Sequence, residues 1–149
     1  MEIENVLYFH TMQSIIEIEK EIEEEFALFD DQMDKYEYII DLGKKLPALD
    51  SKYMSDDFLV KGCQSKVWLH AYEKDGRIFF ETDSNTAITK GIIALLVRVL
   101  SGQKASDILS ASLQFIDKIN LRSHLSSQRS NGLTAMITKM RAYASIFSK

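Results

Sequence analysis

Between Gln13 and Phe29 the chain reads QSIIEIEKEIEEEFALF, and Ile15, Ile18, Ile22, Phe26 and Phe29 recur every three or four residues among glutamates. That step predicts an amphipathic helix with one buried stripe and a solvated acidic face, the run Glu23 to Glu25 included. A second helix is predicted in DDQMDKYEYIIDLGKKLPALD. Asp30 or Asp31 is its cap, Met33, Tyr36, Ile40 and Leu42 form its stripe, and Gly43 and Pro47 bracket its end. A loop then runs to about Phe58. Beyond it the period becomes two. Val67, Leu69 and Ala71 alternate with Trp68, His70 and Tyr72. Lys74-Asp75-Gly76 reads as a hairpin turn and RIFFETD as the return strand, with a third short strand at Phe58 to Lys61. Both faces of the hairpin carry apolar bulk, so helices are expected to cover at least one.

The segment SNTAITKGIIALLVRVLSGQ is apolar nearly all round, which puts it at the centre of the fold. Ser84 or Asn85 is its expected cap and Gly102 its stop. ASDILSA predicts a short helix capped by Ser106, and FIDKINLRSHL a short mixed segment. SSQRSNGLTAMITKMRAYASIF predicts a terminal helix with Leu133, Met136, Ile137, Met140 and Tyr143 on one side. Residues 1–12 show no period and are expected to form a disordered or extended segment. Residues 13–149 are then one α/β (α+β) domain, a small antiparallel sheet of about three strands packed against several helices.

Composition narrows the function. A length of 149 residues suits a single domain with a core of its own. A net charge of −4 argues against nucleic acid as the main partner, because phosphate binding needs a basic patch. The glycines stand singly, so no phosphate-binding glycine loop exists. The longest apolar stretch, GIIALLVRVL, is interrupted by Arg98 and is too short to span a bilayer, so no membrane partner is expected. The chain carries one cysteine and opens on no basic region followed by an apolar run; a reducing cytoplasm fits best.

The histidines, His10, His70 and His124, are far apart and lack metal-ligand spacing, so no metal is expected. Asp30-Asp31 and Asp56-Asp57 sit where caps and loops favour acids, and neither pair is assigned a catalytic part. That leaves Cys63, in LVKGCQSKVWLHAY, at the mouth of the first strand. Most lone cysteines are small buried hydrophobes. Here Gly62 lets the backbone bend, Gln64 and Ser65 are polar, and Lys61 and Lys66 favour a thiolate if their charges lie near it. A nucleophile, a redox sensor and a carrier all remain open on these residues alone.

GCQSKVWL resembles the core motif of the SufE family, sulfur-acceptor proteins of iron–sulfur cluster assembly. Three further stretches resemble that family in order: YEYIIDLGKKLPALD, DSNTAITKGIIALL and LRSHLSSQRSNGLTAMITKMRAYA. Together they span roughly residues 17 to 144. One departure is Asn85, where many relatives carry Asp. The resemblance implies a fold shared with IscU-type scaffolds. It implies that Cys63 accepts persulfide sulfur from a SufS-type cysteine desulfurase and passes it to a SufB-containing scaffold. The pyridoxal phosphate (PLP) cofactor is the desulfurase's; none is expected on this chain. Gly62, Gln64, Ser65, Trp68 and Arg129 would form the supporting loop and pocket, with Arg129 orienting the loop or stabilising sulfur anion. Lys61, Lys66, Asp83, Ser84 and Asn85 would meet the partner.

The implied protein is an activator and persulfide carrier, a monomer or weak homodimer, rather than an independent enzyme. The competing readings are a free-standing Cys-nucleophile hydrolase or peroxidase and a redox-responsive binding module. A scaffold role is disfavoured, because cluster assembly needs several thiolates.

Overall fold

The computed structural model describes residues 13–148, and the expectation for residues 1–12 lies outside them. Helix α1 (Ile15–Ala27) begins in a capping box: the Ser14 hydroxyl accepts the Glu17 N–H at 3.2 Å, and the Glu17 carboxylate accepts the Ser14 N–H at 3.4 Å. It buries Ile15, Ile18, Ile22 and Phe26 as the pattern predicts. Phe29 falls beyond the helix and packs its ring on Tyr38 at 4.9 Å.

Helix α2 (Gln32–Lys44) is capped by Asp31, which accepts the Met33 N–H at 2.7 Å. Its inward positions are Ile39 and Gly43, whereas Met33 is exposed. Tyr36, Ile40 and Leu42 of the expected stripe pack half-buried against the core, but its centre shifts to Ile39 and Gly43, and the cause lies in helix α3 (Ala87–Leu100). A methyl group on Gly43 would stand 2.6 Å from the Gly91 nitrogen, and one on Gly91 would stand 2.1 Å from the Ile39 carbonyl oxygen. The two helices thus touch backbone to backbone. Gly43 is part of this contact rather than a helix stop.

Strands β1 (Val67–Lys74) and β2 (Arg77–Ser84) pair antiparallel from Val67 opposite Ser84 to Lys74 opposite Arg77. Asp75 and Gly76 make the turn, both at positive φ, which matches the right-handed twist of the strands. Only these two strands form among the described residues. The expected third is reduced to one bridge between Leu59 and Trp68. Single 3-10 turns at Ser51–Tyr53 and Asp56–Phe58 keep the preceding chain from extending, and Gly62, at φ 95°, turns it away after Val60.

Val67, Leu69, Ala71, Ile78 and Phe80 form the buried face of the hairpin and belong to the same core as α3. On the other face His70 stacks on Tyr53 at 3.7 Å, and Tyr72 on Phe79 at 5.4 Å. Among the described residues, aromatic side chains rather than a helix shield that side.

The cap of α3 is Thr86, not Ser84 or Asn85, and Gly102 follows its last turn at φ 82°. Helix α4 (Ala105–Ser110) starts two residues earlier than expected, because the Asp107 and Ile108 N–H groups both donate to the Lys104 carbonyl, which makes Lys104 the cap; Ser106 lies inside the first turn. Helix α5 (Phe115–Lys118) and a 3-10 turn (Leu121–His124) lead to helix α6 (Ser127–Phe147). It buries Leu133, Met136 and Met140 as expected, together with Gly132 and Ala144, while Ile137 and Tyr143 are half-buried.

The acidic face of α1 is not wholly solvated. Glu19 is buried and accepts the Phe115 N–H at 2.9 Å. Glu25 receives both arms of the Arg98 guanidinium, one at 2.8 Å, and the Tyr38 hydroxyl. This explains the arginine inside the most apolar helix. The Arg98 bonds hold the Glu25 carboxyl below its usual range, while burial, then the bond to Glu25, pushes Tyr38 up to about 12. A carboxylate so lowered stabilises the fold above the unfolded carboxyl range and loses that contribution as pH falls through its folded value. Glu25→Gln should therefore cost about 1 kcal/mol at neutral pH, discounted for partial exposure, and flatten the acid limb of stability. Thermal unfolding of both proteins from neutral pH into the carboxyl range checks this; parallel curves would count against it.

Candidate functional site

Cys63 sits at the tip of the loop that enters β1. The upstream arm is fixed where the Val60 N–H donates to the Val67 carbonyl at 2.8 Å. The downstream arm is fixed by Asn85, whose side-chain oxygen accepts the Lys66 N–H at 3.0 Å while its own N–H donates to the Lys66 carbonyl at 3.2 Å. An aspartate could accept the same bond, so this contact does not require the amide. Ser65 bonds to the Thr86 hydroxyl at 2.8 Å. Residues 61–64 form the tip between these ties.

The tip lies on α6. The Cys63 thiol donates to the Gly132 carbonyl at 3.6 Å, and Gly62 lies against Ala135, whose methyl would be 3.3 Å from an added Cβ. At φ 95° Gly62 holds a backbone shape that other residues resist. Cys63 is half-buried, and burial pushes its thiol pKa up. Lys61 and Lys66 are exposed, and the upward shift of the thiol is caused by burial. At rest the thiol is therefore shifted away from the thiolate rather than toward it.

Arg129 stands one helical turn before Gly132, about 5 Å along the axis, with its Nε buried and without a hydrogen-bond partner among the described residues. Trp68 points away from the inward face of β1, opposite Asp83 and beside Leu59. Asp83 accepts the Ser84 N–H at 2.7 Å and pairs with Lys90 at 3.2 Å; the Ser84 hydroxyl accepts the Thr86 N–H at 3.4 Å. The fold therefore brings the Cys63 loop and the Asp83–Asn85 turn together. Gln64 is exposed at the tip. His70 is engaged by Glu81 at 2.9 Å on the outer face of the hairpin.

Gly132, Ala135 and the Thr86–Thr89 pair escaped the sequence reading. For Gly132 a signal existed: an isolated glycine inside a helical pattern marks either a cost or a close approach. A methyl on Gly132 would find Cys63 Sγ at 3.5 Å, ordinary contact. Gly132→Ala should accordingly raise stability by about 0.5–1 kcal/mol through helix propensity and slow alkylation of Cys63. A destabilised Gly132→Ala protein would show that the loop sits closer to α6 than this.

Among the described residues no group of three or more histidine, cysteine or acidic side chains could hold a metal ion, and no helix is long and apolar enough to cross a membrane. The SufE family model, described as an Fe-S metabolism associated domain, matches residues 20–144. The chain is 37% identical over 129 residues to an uncharacterized SufE-like protein of Rhizobium meliloti, covering 83% of this chain and 92% of that one. It is 35% identical over 137 residues to SufE-like protein 1, chloroplastic/mitochondrial, of Arabidopsis thaliana, covering 89% of this chain and 37% of that one. The fold is similar to the solution structure of a hypothetical protein from Thermus thermophilus, with a TM-score of 0.71 over 86% of this chain and 93% of that one at 18% identity.

Proposed function

Because this chain belongs to the SufE family of Fe–S metabolism, we propose that Cys63 accepts sulfur from the persulfide of a PLP-dependent cysteine desulfurase and hands it to a SufB-containing cluster scaffold. The observation that carries this reading is the position of the chain's sole cysteine at the tip of a short loop tied at both ends. The Cys63 thiolate attacks the outer sulfur of the desulfurase persulfide. The S–S bond there breaks, a new one forms on Cys63, and the desulfurase cysteine leaves as a thiolate that takes up a proton. Thiol and persulfide exchange places, so no oxidant or reductant is consumed.

A second thiol nearby would discharge the product as a disulfide; the chain has none. The contact with Gly132 half-buries the sulfur, which limits the access of water and small thiols between transfers. Arg129, one turn away, steadies the loop or the sulfur anion. Lys61, Lys66 and the Asp83–Asn85 turn flank the tip and meet the partner. The hydrolase and peroxidase readings lack support from the site, since the hydrogen-bond partner of Cys63 is a carbonyl rather than a base.

The test mixes the protein with a SufS-type desulfurase and free cysteine, then measures intact mass. The expected result is one added sulfur on Cys63, removed by dithiothreitol, and faster sulfur release by the desulfurase. An unchanged mass with full desulfurase activity would defeat the proposal.

A further inference from the structure

The N-cap of α3 leaves its own helix uncapped. Thr86 has a hydroxyl at the position where such groups ordinarily accept an N–H of the first turn, yet it makes no capping bond. Its hydroxyl meets Ser65 at 2.8 Å instead. One turn further along, Thr89, 3% exposed, donates its hydroxyl to the same Ser65 oxygen at 3.2 Å. Two threonines of the central helix thus converge on one side chain, two residues downstream of Cys63.

We propose that Thr86 and Thr89 are positioning residues for the Cys63 thiol, acting through Ser65 to fix the downstream hinge of its loop. This rests on Cys63 being the sulfur acceptor. With Ser65 tied, only residues 61–64 can lift away from Gly132 and Ala135. With it released, the next downstream anchor is the Lys66–Asn85 pair, and the mobile tip is longer. The hydroxyl cluster therefore sets how readily the thiol leaves its cover, and so how well bound sulfur is shielded from solvent thiols. Valine has the shape of threonine without the hydroxyl, which makes the exchange a clean probe of the bonds.

The experiment measures the rate of Cys63 alkylation by iodoacetamide in the full chain, alongside its thermal midpoint, without any partner. The double variant Thr86→Val/Thr89→Val should react about 5- to 30-fold faster, the range expected from losing the two modest hydrogen bonds to Ser65 from the closed state. Thr86→Ser/Thr89→Ser should restore the slow rate, which a general loosening of the fold would not do. If the valine variant fails to fold, Ser65→Ala, which removes the acceptor at the half-buried loop end, carries the same expectation. Rates within twofold of the parent in the folded variant, or no rescue by serine, would overturn the proposal. Failure of the parent to gain sulfur from a desulfurase is a separate result that would strike the acceptor reading instead.

Discussion

Cys63→Ser should fold, bind a SufS-type desulfurase and carry no added sulfur. Serine is nearly isosteric with cysteine, and the site asks little of the sulfur beyond packing on Gly132 and one weak bond to its carbonyl. A hydroxyl can make that bond. The chemistry does not survive, because the hydroxyl pKa lies far above that of a thiol and oxygen cannot hold a persulfide. Sulfur loading should drop to background, and stimulation of the desulfurase should vanish with it. Intact mass and the rate of sulfide release measure both. Loss of binding would place Cys63 in the contact surface. Stimulation at the parental level would make the protein an activator without a carrier step.

The second large effect is on stability. Gly91→Ala inserts a methyl 2.1 Å from the Ile39 carbonyl oxygen, with the Ile39 carbonyl carbon at 2.7 Å. Neither atom can yield as a side-chain tip would, since both belong to the backbone of α2. The helices must separate, and the surrounding core opens with them. A loss of about 3 kcal/mol or more is expected, against a gain of only about 1 kcal/mol from helix propensity. The thermal midpoint should fall by roughly 6 to 12 °C. A midpoint near the parental value would show that the crossing has slack. The contrast with Gly132→Ala, where the added methyl reaches ordinary contact distance, isolates the effect of backbone contact.

The elements were legible wherever one face of the chain decides its conformation. The stripe of α1, the hairpin with its Asp75-Gly76 turn and the apolar run of α3 all follow from period alone. What failed were features set by a distant partner. The buried face of α2 depends on Gly91, far along the chain from Gly43. Glu25 reads as solvated until Arg98 is brought to it. The third strand failed because turns upstream of it spoil extension. At the site, Cys63 stood out by its rarity and its glycine neighbour. Its cover did not, because Gly132 and Ala135 reach it only through tertiary packing. The raised thiol pKa is likewise a burial effect that no neighbour in sequence announces.

Among the described residues, the polar anchors of helix α1 include two that lie far downstream. Its Glu19 holds the backbone of Phe115, 96 residues on, and Arg98 reaches Glu25 across 73 residues. During synthesis at about 5 to 20 residues per second, the partner for Glu19 is added roughly 5 to 20 s after the helix itself. Through that interval the stripe of Ile15, Ile18, Ile22 and Phe26 has no finished core to enter. A nascent chain stalled before Phe115 should therefore expose this stripe to chaperones, and its burial should mark the moment at which the growing polypeptide becomes resistant to protease.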